Sequence, residues 1–179
     1  MRTPTDVLRD EHAIILRGLD VLEAAARQGE DGHDPPEAWW DDVLAWFRVF
    51  ADRNHHGKEE TALFPAMVKA GVPAEGGPID VMLEEHDEGR ALLRAMAGRR
   101  STERARAARC YAQLLRDHIE KEHGVLFPLA EAVLDADALD WVAHQFGTVE
   151  AEVGGDATLD AAHAAVGAMA MALARDADA

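Results

Sequence analysis

Apolar residues recur along most of this 179-residue chain at the three- and four-residue spacing of amphipathic helices. In the first such segment, Leu8, Ile15 and Leu19 fall on one face, and His12 lies on the same face. No segment shows the alternating Val-, Ile- and Thr-rich pattern that is typical of a strand. The pattern therefore predicts an all-α protein.

Turn and capping residues divide the pattern into predicted helices. Thr3 and Asp34 are predicted to cap the first two helices, and Gly29 to end the first in a left-handed conformation. Pro65 and Pro128 are expected to kink or end the helices in which they lie. The predicted helices cover about residues 4–28, 35–63, 78–96, 101–126, 139–152 and 159–174.

The first four helices would each be about 30–38 Å long, which is typical of an up-down-up-down antiparallel four-helix bundle. We predict that residues 1–132 form this bundle. Residues 133–179 are predicted to add two helices as a C-terminal extension, which either packs on the bundle or mediates oligomerisation. The sequence leaves both a monomer and a homodimer open.

The charge of the chain bears on its partners. The chain has 34 acidic and 18 basic residues, a formal net charge of −16. Such a surface repels phosphate backbones and anionic lipids, so we predict neither a nucleic-acid nor a membrane partner. There is no apolar run of a signal peptide or a membrane span, and the lone Cys110 cannot form an internal disulfide. We expect a cytoplasmic protein.

The two halves of the chain repeat one order of residues: Glu-His, then His-x-x-x-Glu, then Leu-Phe-Pro. This repeat indicates a duplicated helical hairpin. The Leu-Phe-Pro segments align His118 with His55 and not with His56. The repeated polar residues are Glu11, His12, His55 and Glu59 in the first half and Glu85, His86, His118 and Glu122 in the second.

The helical faces select six of these residues as a metal-binding set. Each of the four bundle helices places one histidine on its apolar face, and two helices add a glutamate one turn later. His56 and Glu60 fall on faces that are predicted to contact solvent. The six inward residues are His12, His55, Glu59, His86, His118 and Glu122.

Burying two carboxylates and four imidazoles requires a cation, because an uncompensated buried charge is very costly. Imidazole and carboxylate ligands suit Fe, Mn, Zn or Ni. The six residues can hold two ions, each with two terminal histidines, bridged by Glu59 and Glu122. This arrangement leaves coordination positions open for a small ligand. One ion bound by all six residues is the alternative, and it leaves no open position.

Over about residues 5–130 the chain resembles the hemerythrin-like (HHE cation-binding) family. The resemblance rests on His12, the segments 55–60 and 77–90, the His118-x-x-x-Glu122 motif and the two Leu-Phe-Pro segments. It implies a non-haem centre of two oxo- or hydroxo-bridged iron ions, with Mn or Zn as other possible metals. It implies the ligands His12, His55, Glu59, His86, His118 and Glu122.

One position departs from the oxygen-carrying members of that family, which have a second histidine one turn after the first on the third helix. Here that position is Arg90. The resemblance then implies that one ion loses a histidine, which argues against simple reversible O₂ carriage. Residues predicted to surround the ligands are Arg90, Glu85 and Tyr111. Weaker candidate ligands are His56, Glu60 and His163.

Three functions are consistent with this site. The favoured one is a protein that binds, senses or buffers O₂, NO, peroxide or iron. The second is a di-iron oxidoreductase that consumes peroxide or handles NO, and the third is a bundle in which the metal only joins the helices. The sequence assigns no catalytic residue, and it favours binding or sensing over catalysis.

Overall fold

The structure is a computed structural model that describes residues 2–98, 101–155 and 158–177, and the regular elements of these residues are all helical. None of the helices described is long and apolar enough to cross a membrane. The α-helices are α1 (Pro4–Glu30), α2 (Glu37–Trp46), α3 (Phe64–Lys69), α4 (Pro78–Met96), α5 (Ser101–Lys121), α6 (Phe127–Val133), α7 (Ala136–Val153) and α8 (Leu159–Ala177). The π-helical segments are π1 (Phe47–His56), π2 (Glu59–Leu63) and π3 (Glu122–Leu126).

Two long helices continue through prolines at which the sequence predicted a kink or an end. Helical structure is unbroken over residues 37–69 and 101–133. Before each proline, the backbone N–H of Phe64 or Phe127 bonds to a carbonyl five residues back instead of four. Because a proline ring clashes with the carbonyl four residues back in a regular α-helix, the wider π turn lets the helix continue.

The predicted helix boundary at Thr3 is confirmed, whereas those at Gly29 and Asp34 are wrong. The Thr3 hydroxyl accepts a hydrogen bond from the Asp6 backbone N–H (3.2 Å), and the Thr3 N–H donates to the Asp6 carboxylate (2.9 Å). Gly29 lies inside α1, and the left-handed residue is Gly32 (φ 85°). Asp34 does not cap α2, which begins at Glu37. Its carboxylate accepts a hydrogen bond from the Trp40 indole instead.

The core consists of two apolar clusters separated by a layer of polar side chains. One cluster contains the aromatic residues of α2 and π1, and the other contains the Leu-Phe-Pro segments. The separation follows from the order of residues on the four long helices. Residues of the two clusters flank the buried histidines as follows: Leu8 and Ile15 around His12, Ala51 and Ala62 around His55, Met82 and Leu93 around His86, and Leu115 and Leu126 around His118.

The C-terminal helices pack on this bundle. Helix α8 contacts α1 and α2, and α7 contacts π1, π2 and α1. Val142 and Phe146 of α7 belong to one apolar cluster, and Val166 and Leu173 of α8 belong to the other. Each C-terminal helix thus completes one end of the core. The up-down-up-down order of the four bundle helices stays a prediction.

Gly18 of α1 packs too closely against Trp46 to leave room for a β-carbon. A β-carbon built there would lie 2.5 Å from Cζ3 of the buried Trp46. We expect Gly18→Ala to lower the free energy of unfolding by about 1–3 kcal/mol, as overpacking typically does, although alanine is the better helix former. The measurement is urea unfolding of the chelator-treated protein, followed by circular dichroism.

The matched control is Gly147→Ala in the exposed part of α7, where the added carbon has no neighbour within 4 Å beyond the adjacent residues and the backbone of its own helix. This change should raise the free energy of unfolding by up to about 1 kcal/mol. If both variants were equally stabilised, the close contact between α1 and Trp46 would be disproved.

Candidate metal centre

The structure brings the six inward residues predicted from the sequence together in the polar layer of the core. Each is at most 1% exposed. They come from α1, π1, π2, α4, α5 and π3, so every bundle helix contributes at least one. The six are His12, His55, Glu59, His86, His118 and Glu122.

The histidines form two pairs. The Nε2 atoms of His12 and His55 are 2.8 Å apart, and those of His86 and His118 are 3.2 Å apart. One pair joins α1 to π1, which belong to the first predicted hairpin. The other joins α4 to α5, which belong to the second. The two pairs define the two sides of the centre.

The two glutamates lie between the pairs. Glu59 directs Oε1 toward Nε2 of His55 (3.8 Å) and Oε2 toward Nε2 of His86 (3.5 Å). Glu122 does the same for the other histidine of each pair, at 3.0 and 3.5 Å. Each carboxylate therefore presents one oxygen to each side, which is the arrangement that bridges two cations.

The outer nitrogen of every paired histidine is held by a second side chain. In three cases that side chain is a carboxylate, which only accepts, so Nδ1 donates and a neutral ring keeps its lone pair on the inner Nε2. Carboxylate–histidine pairs of this kind orient metal ligands. The contacts of Nδ1 are His55 with Glu11 (2.9 Å), His86 with Glu60 (2.7 Å), His118 with Glu85 (2.8 Å) and His12 with Nε2 of His123 (2.8 Å).

The centre therefore gathers acceptors without donors. Among the residues described, no hydrogen-bond donor satisfies the carboxylate oxygens of Glu59 or Glu122. Burial, and then the neighbouring carboxylate of Glu122, raise the pKa of Glu59. Burial lowers the pKa of His12 to about 4 and that of His55 well below its usual range, so neither ring is positively charged near neutral pH.

The surroundings of His86 also favour a positive charge. Burial alone would lower its pKa, but the neighbouring carboxylates of Glu59 and Glu60 raise it to about 9. Two groups of four potential ligand atoms, each within 4.8 Å of one another, meet at the shared glutamates: His12, His55, Glu59 and Glu122, and Glu59, His86, His118 and Glu122.

Arg90 and Glu60 support His86 from outside the centre. The Arg90 guanidinium donates to Glu60 (2.6 Å), Asp52 (2.8 Å) and Asp87 (3.0 Å). Although burial opposes it, the hydrogen bonds from His86 and Arg90 lower the pKa of Glu60. Glu60 was predicted to contact solvent, and the structure instead places it against His86.

The other residues predicted around the ligands take different positions. Glu85 accepts from His118 and pairs with Lys121. Tyr111 is fully buried but packs edge-on against Phe47, with ring centroids 5.1 Å apart, in an apolar cluster. His163 lies on the exposed side of α8, where it contacts Arg17, and is not brought to the centre.

The prediction that His56 faces solvent is wrong. It is 3% exposed, and its ring stacks on that of His86 with centroids 3.8 Å apart. The physical reason is the π-helical pairing of π1, which puts more residues into each turn than an α-helix does. Successive side chains are then closer in angle, and both His55 and His56 point into the bundle.

The sequence analysis missed a buried ion-pair network beside His55. Lys58 is fully buried and pairs with Glu11, which also accepts from Asn54 (3.0 Å). Glu150 of α7 contacts the same lysine at 2.7 Å. The repeat carried a signal for part of this network, because Glu11 precedes His12 as Glu85 precedes His86.

Comparison with known proteins places the centre in a described family. Residues 3–130 match the family model described as the hemerythrin HHE cation binding domain. Neither a curated protein nor a solved structure matches the chain. The matched range contains all six convergent residues, whereas α7 and α8 lie beyond it.

The two buried carboxylates should destabilise the protein when no metal is bound. We expect Glu59→Gln to raise the free energy of unfolding of the chelator-treated protein by about 1–3 kcal/mol, the usual cost of an unsatisfied buried polar group, because the amide donates to the remaining carboxylate. Chemical unfolding checks this. The control is Glu84→Gln, which changes an exposed residue of α4 and should have no effect. A destabilised Glu59 variant would show that the two carboxylates do not destabilise the metal-free protein.

The two lysines at equivalent positions of the repeat offer a second test. We expect Lys58→Met to cost about 3–5 kcal/mol, because it leaves Glu11 buried without its cation. Lys121→Met makes the same change where the lysine side chain is 44% exposed, and it should cost less than about 1 kcal/mol. Thermal unfolding of both variants measures the difference, and similar losses would show that burial of the network does not matter.

Proposed function

The chain belongs to the hemerythrin HHE cation-binding domain family, and on this premise we propose that its buried centre holds two bridged metal ions, iron before Mn or Zn. The proposed role is to bind, sense or buffer O₂, NO, peroxide or iron itself. The ions would lie midway along an up-down-up-down bundle of a cytoplasmic protein that has no nucleic-acid or membrane partner.

One observation carries this proposal: four buried carboxylate oxygens without donors lie between two pairs of imidazole nitrogens. Each histidine pair would bind one ion, and Glu59 and Glu122 would bridge the two. Imidazole and carboxylate ligands suit iron, and the second-layer carboxylates would fix the ring orientations. A bound pair of iron ions supplies redox chemistry and coordination positions that a small molecule can take.

The surroundings of the centre favour a small, weakly polar ligand. The narrow space at the centre is lined by four histidines, His12, His55, His56 and His118, and by three aliphatic residues, Ile15, Leu115 and Ile119. The aliphatic part offers no charged or hydrogen-bonding partner, so the space suits O₂ or NO better than a charged metabolite. A larger cleft of about 490 Å³ lies elsewhere, between α3, α6 and α7, and none of its lining residues belongs to the centre.

The deciding experiment is metal analysis and visible spectroscopy of protein purified from iron-supplemented cells. We expect two irons per chain and charge-transfer absorption that changes when azide, NO or peroxide is added. Glu122→Gln should lose at least one iron, because it removes one of the two bridging carboxylates, while Glu84→Gln should retain both.

Two kinds of result would contradict the proposal. A single tightly held zinc without any spectral response, or no metal after anaerobic reconstitution with Fe²⁺, would overturn the two-iron centre and favour a structural metal. Turnover of peroxide or NO that rises with iron content would show an oxidoreductase in place of a binding protein.

A further inference from the structure

A buried lysine lies behind one of the inward histidines. Lys58 is fully buried and pairs with Oε1 of Glu11, whose other oxygen, Oε2, accepts from Nδ1 of His55 (2.9 Å). Asn54 also donates to Oε1, at 3.0 Å. The two oxygens of Glu11 therefore have separate partners, because Oε1 accepts from the polar network and Oε2 accepts from the histidine.

Helix α7 encloses the ammonium group of Lys58. Glu150 of α7 accepts from Nζ at 2.7 Å, and the centroid of the Phe146 ring lies 5.7 Å from the same atom. Both contacts come from outside residues 3–130, the range that matches the family model. The lysine side chain is 0% exposed, so it has no contact with solvent that could replace its acceptors.

The repeat provides an exposed counterpart of this arrangement. Lys121 pairs with Oε1 of Glu85, and Oε2 of Glu85 accepts from Nδ1 of His118 (2.8 Å). The Lys121 side chain is 44% exposed. An exposed lysine can exchange its carboxylate for water at little cost, whereas a buried lysine that loses its acceptor is left unsatisfied.

The direction of the hydrogen bond at Nδ1 decides which nitrogen of His55 carries the lone pair. A neutral imidazole has one donor and one acceptor nitrogen. Because the Glu11 carboxylate only accepts, Nδ1 donates and Nε2 keeps the lone pair that a metal ion needs. Lys58 only donates, so the atom of residue 11 that it contacts must be an acceptor.

We propose that Lys58 is a positioning residue for His55. By holding Oε1 of Glu11, it turns Oε2 toward Nδ1 of His55 and fixes the tautomer whose Nε2 can bind a metal ion. The functional meaning of this inference rests on the proposed metal binding, but the tautomer can be measured in the metal-free protein. Lys121 is exposed and does not fix the tautomer of His118 in the same way.

The first test reverses the chemistry of residue 11. In Glu11→Gln, the donors of Lys58 require the amide oxygen at the Oε1 position, which leaves the amide NH₂ facing His55. Nδ1 of His55 must then accept, so the ring proton moves to Nε2. Long-range ¹H–¹⁵N NMR of the metal-free, full-length variant should show this tautomer, with the signals assigned through His55→Gln. An unchanged Nδ1–H tautomer would overturn the inference.

Removing the lysine as well should restore the original tautomer. In Glu11→Gln/Lys58→Met, the amide can turn its oxygen toward His55 and its NH₂ toward Asn54, whose buried Oδ1 has no partner within the described part of the chain. A purely structural role of Lys58 predicts no such rescue, because the double variant lacks the buried ion pair altogether. If the double variant keeps the Nε2–H tautomer, Lys58 is not the residue that fixes it.

Glu85→Gln is the matched control for the NMR experiment. Because Lys121 is exposed, it can leave the new amide, which then turns its oxygen toward His118. The ring of His118 should therefore keep its proton on Nδ1. A change of tautomer at His118 equal to that at His55 would show that the burial of the lysine plays no part, and it would contradict the proposal.

The last experiment measures Zn²⁺ affinity by competition with a chelator, in variants whose folding is checked by circular dichroism. Glu11→Gln should weaken binding by about 10–100-fold, the usual cost of losing a ligand's hydrogen-bonding partner, and Glu11→Gln/Lys58→Met should recover most of the loss. Unchanged affinity in a folded Glu11→Gln variant would overturn the positioning role. If the unmodified chain binds no Zn²⁺, the proposed metal binding fails, whereas the NMR result still decides whether Lys58 fixes the tautomer of His55.

Discussion

The organisation of this protein depends on the close approach of two buried carboxylates, Glu59 and Glu122, that face each other without a donor between them. An apolar core cannot accommodate such a pair, because neither charge is compensated by solvent. The apolar residues accordingly separate into two clusters on either side. Four imidazoles fill the layer between the clusters, and their inner nitrogens add further acceptors. A layer so rich in acceptors is consistent with the cation-binding family to which the chain belongs.

The duplicated hairpin supplies the outer support as well as the inner ligands. Glu11 precedes the histidine of α1 and holds the histidine of π1, just as Glu85 of α4 holds that of α5. In both cases a lysine that precedes a central glutamate pairs with this outer carboxylate. The difference lies in burial, because α7 covers Lys58 and adds a contact from Glu150. The C-terminal extension thereby stabilises one side of the centre and not the other.

Sequence reasoning reached the inward residues because each combines helical periodicity with a repeated motif. It could also have reached Glu11, whose equivalent Glu85 was already assigned beside a ligand. It could not reach the orientation of His56 or the passage of the helices through Pro65 and Pro128. The helices pass the two prolines through π-helical pairing, and His56 also lies in a π-helical segment. A pattern analysed with the 3.6-residue period of the α-helix assigns side chains to the wrong angle where this pairing occurs.

The two halves of the centre share one repeat and still have different surroundings. The residue after His55 is His56, which is buried in π1, and its equivalent after His118 is Ile119, which is buried in α5. One half therefore stacks an additional imidazole on His86, whereas the other places an aliphatic side chain beside Ile15 and Leu115. The repeat determines the shared layer of histidines and glutamates, and single substitutions at equivalent positions determine what packs against each side of it.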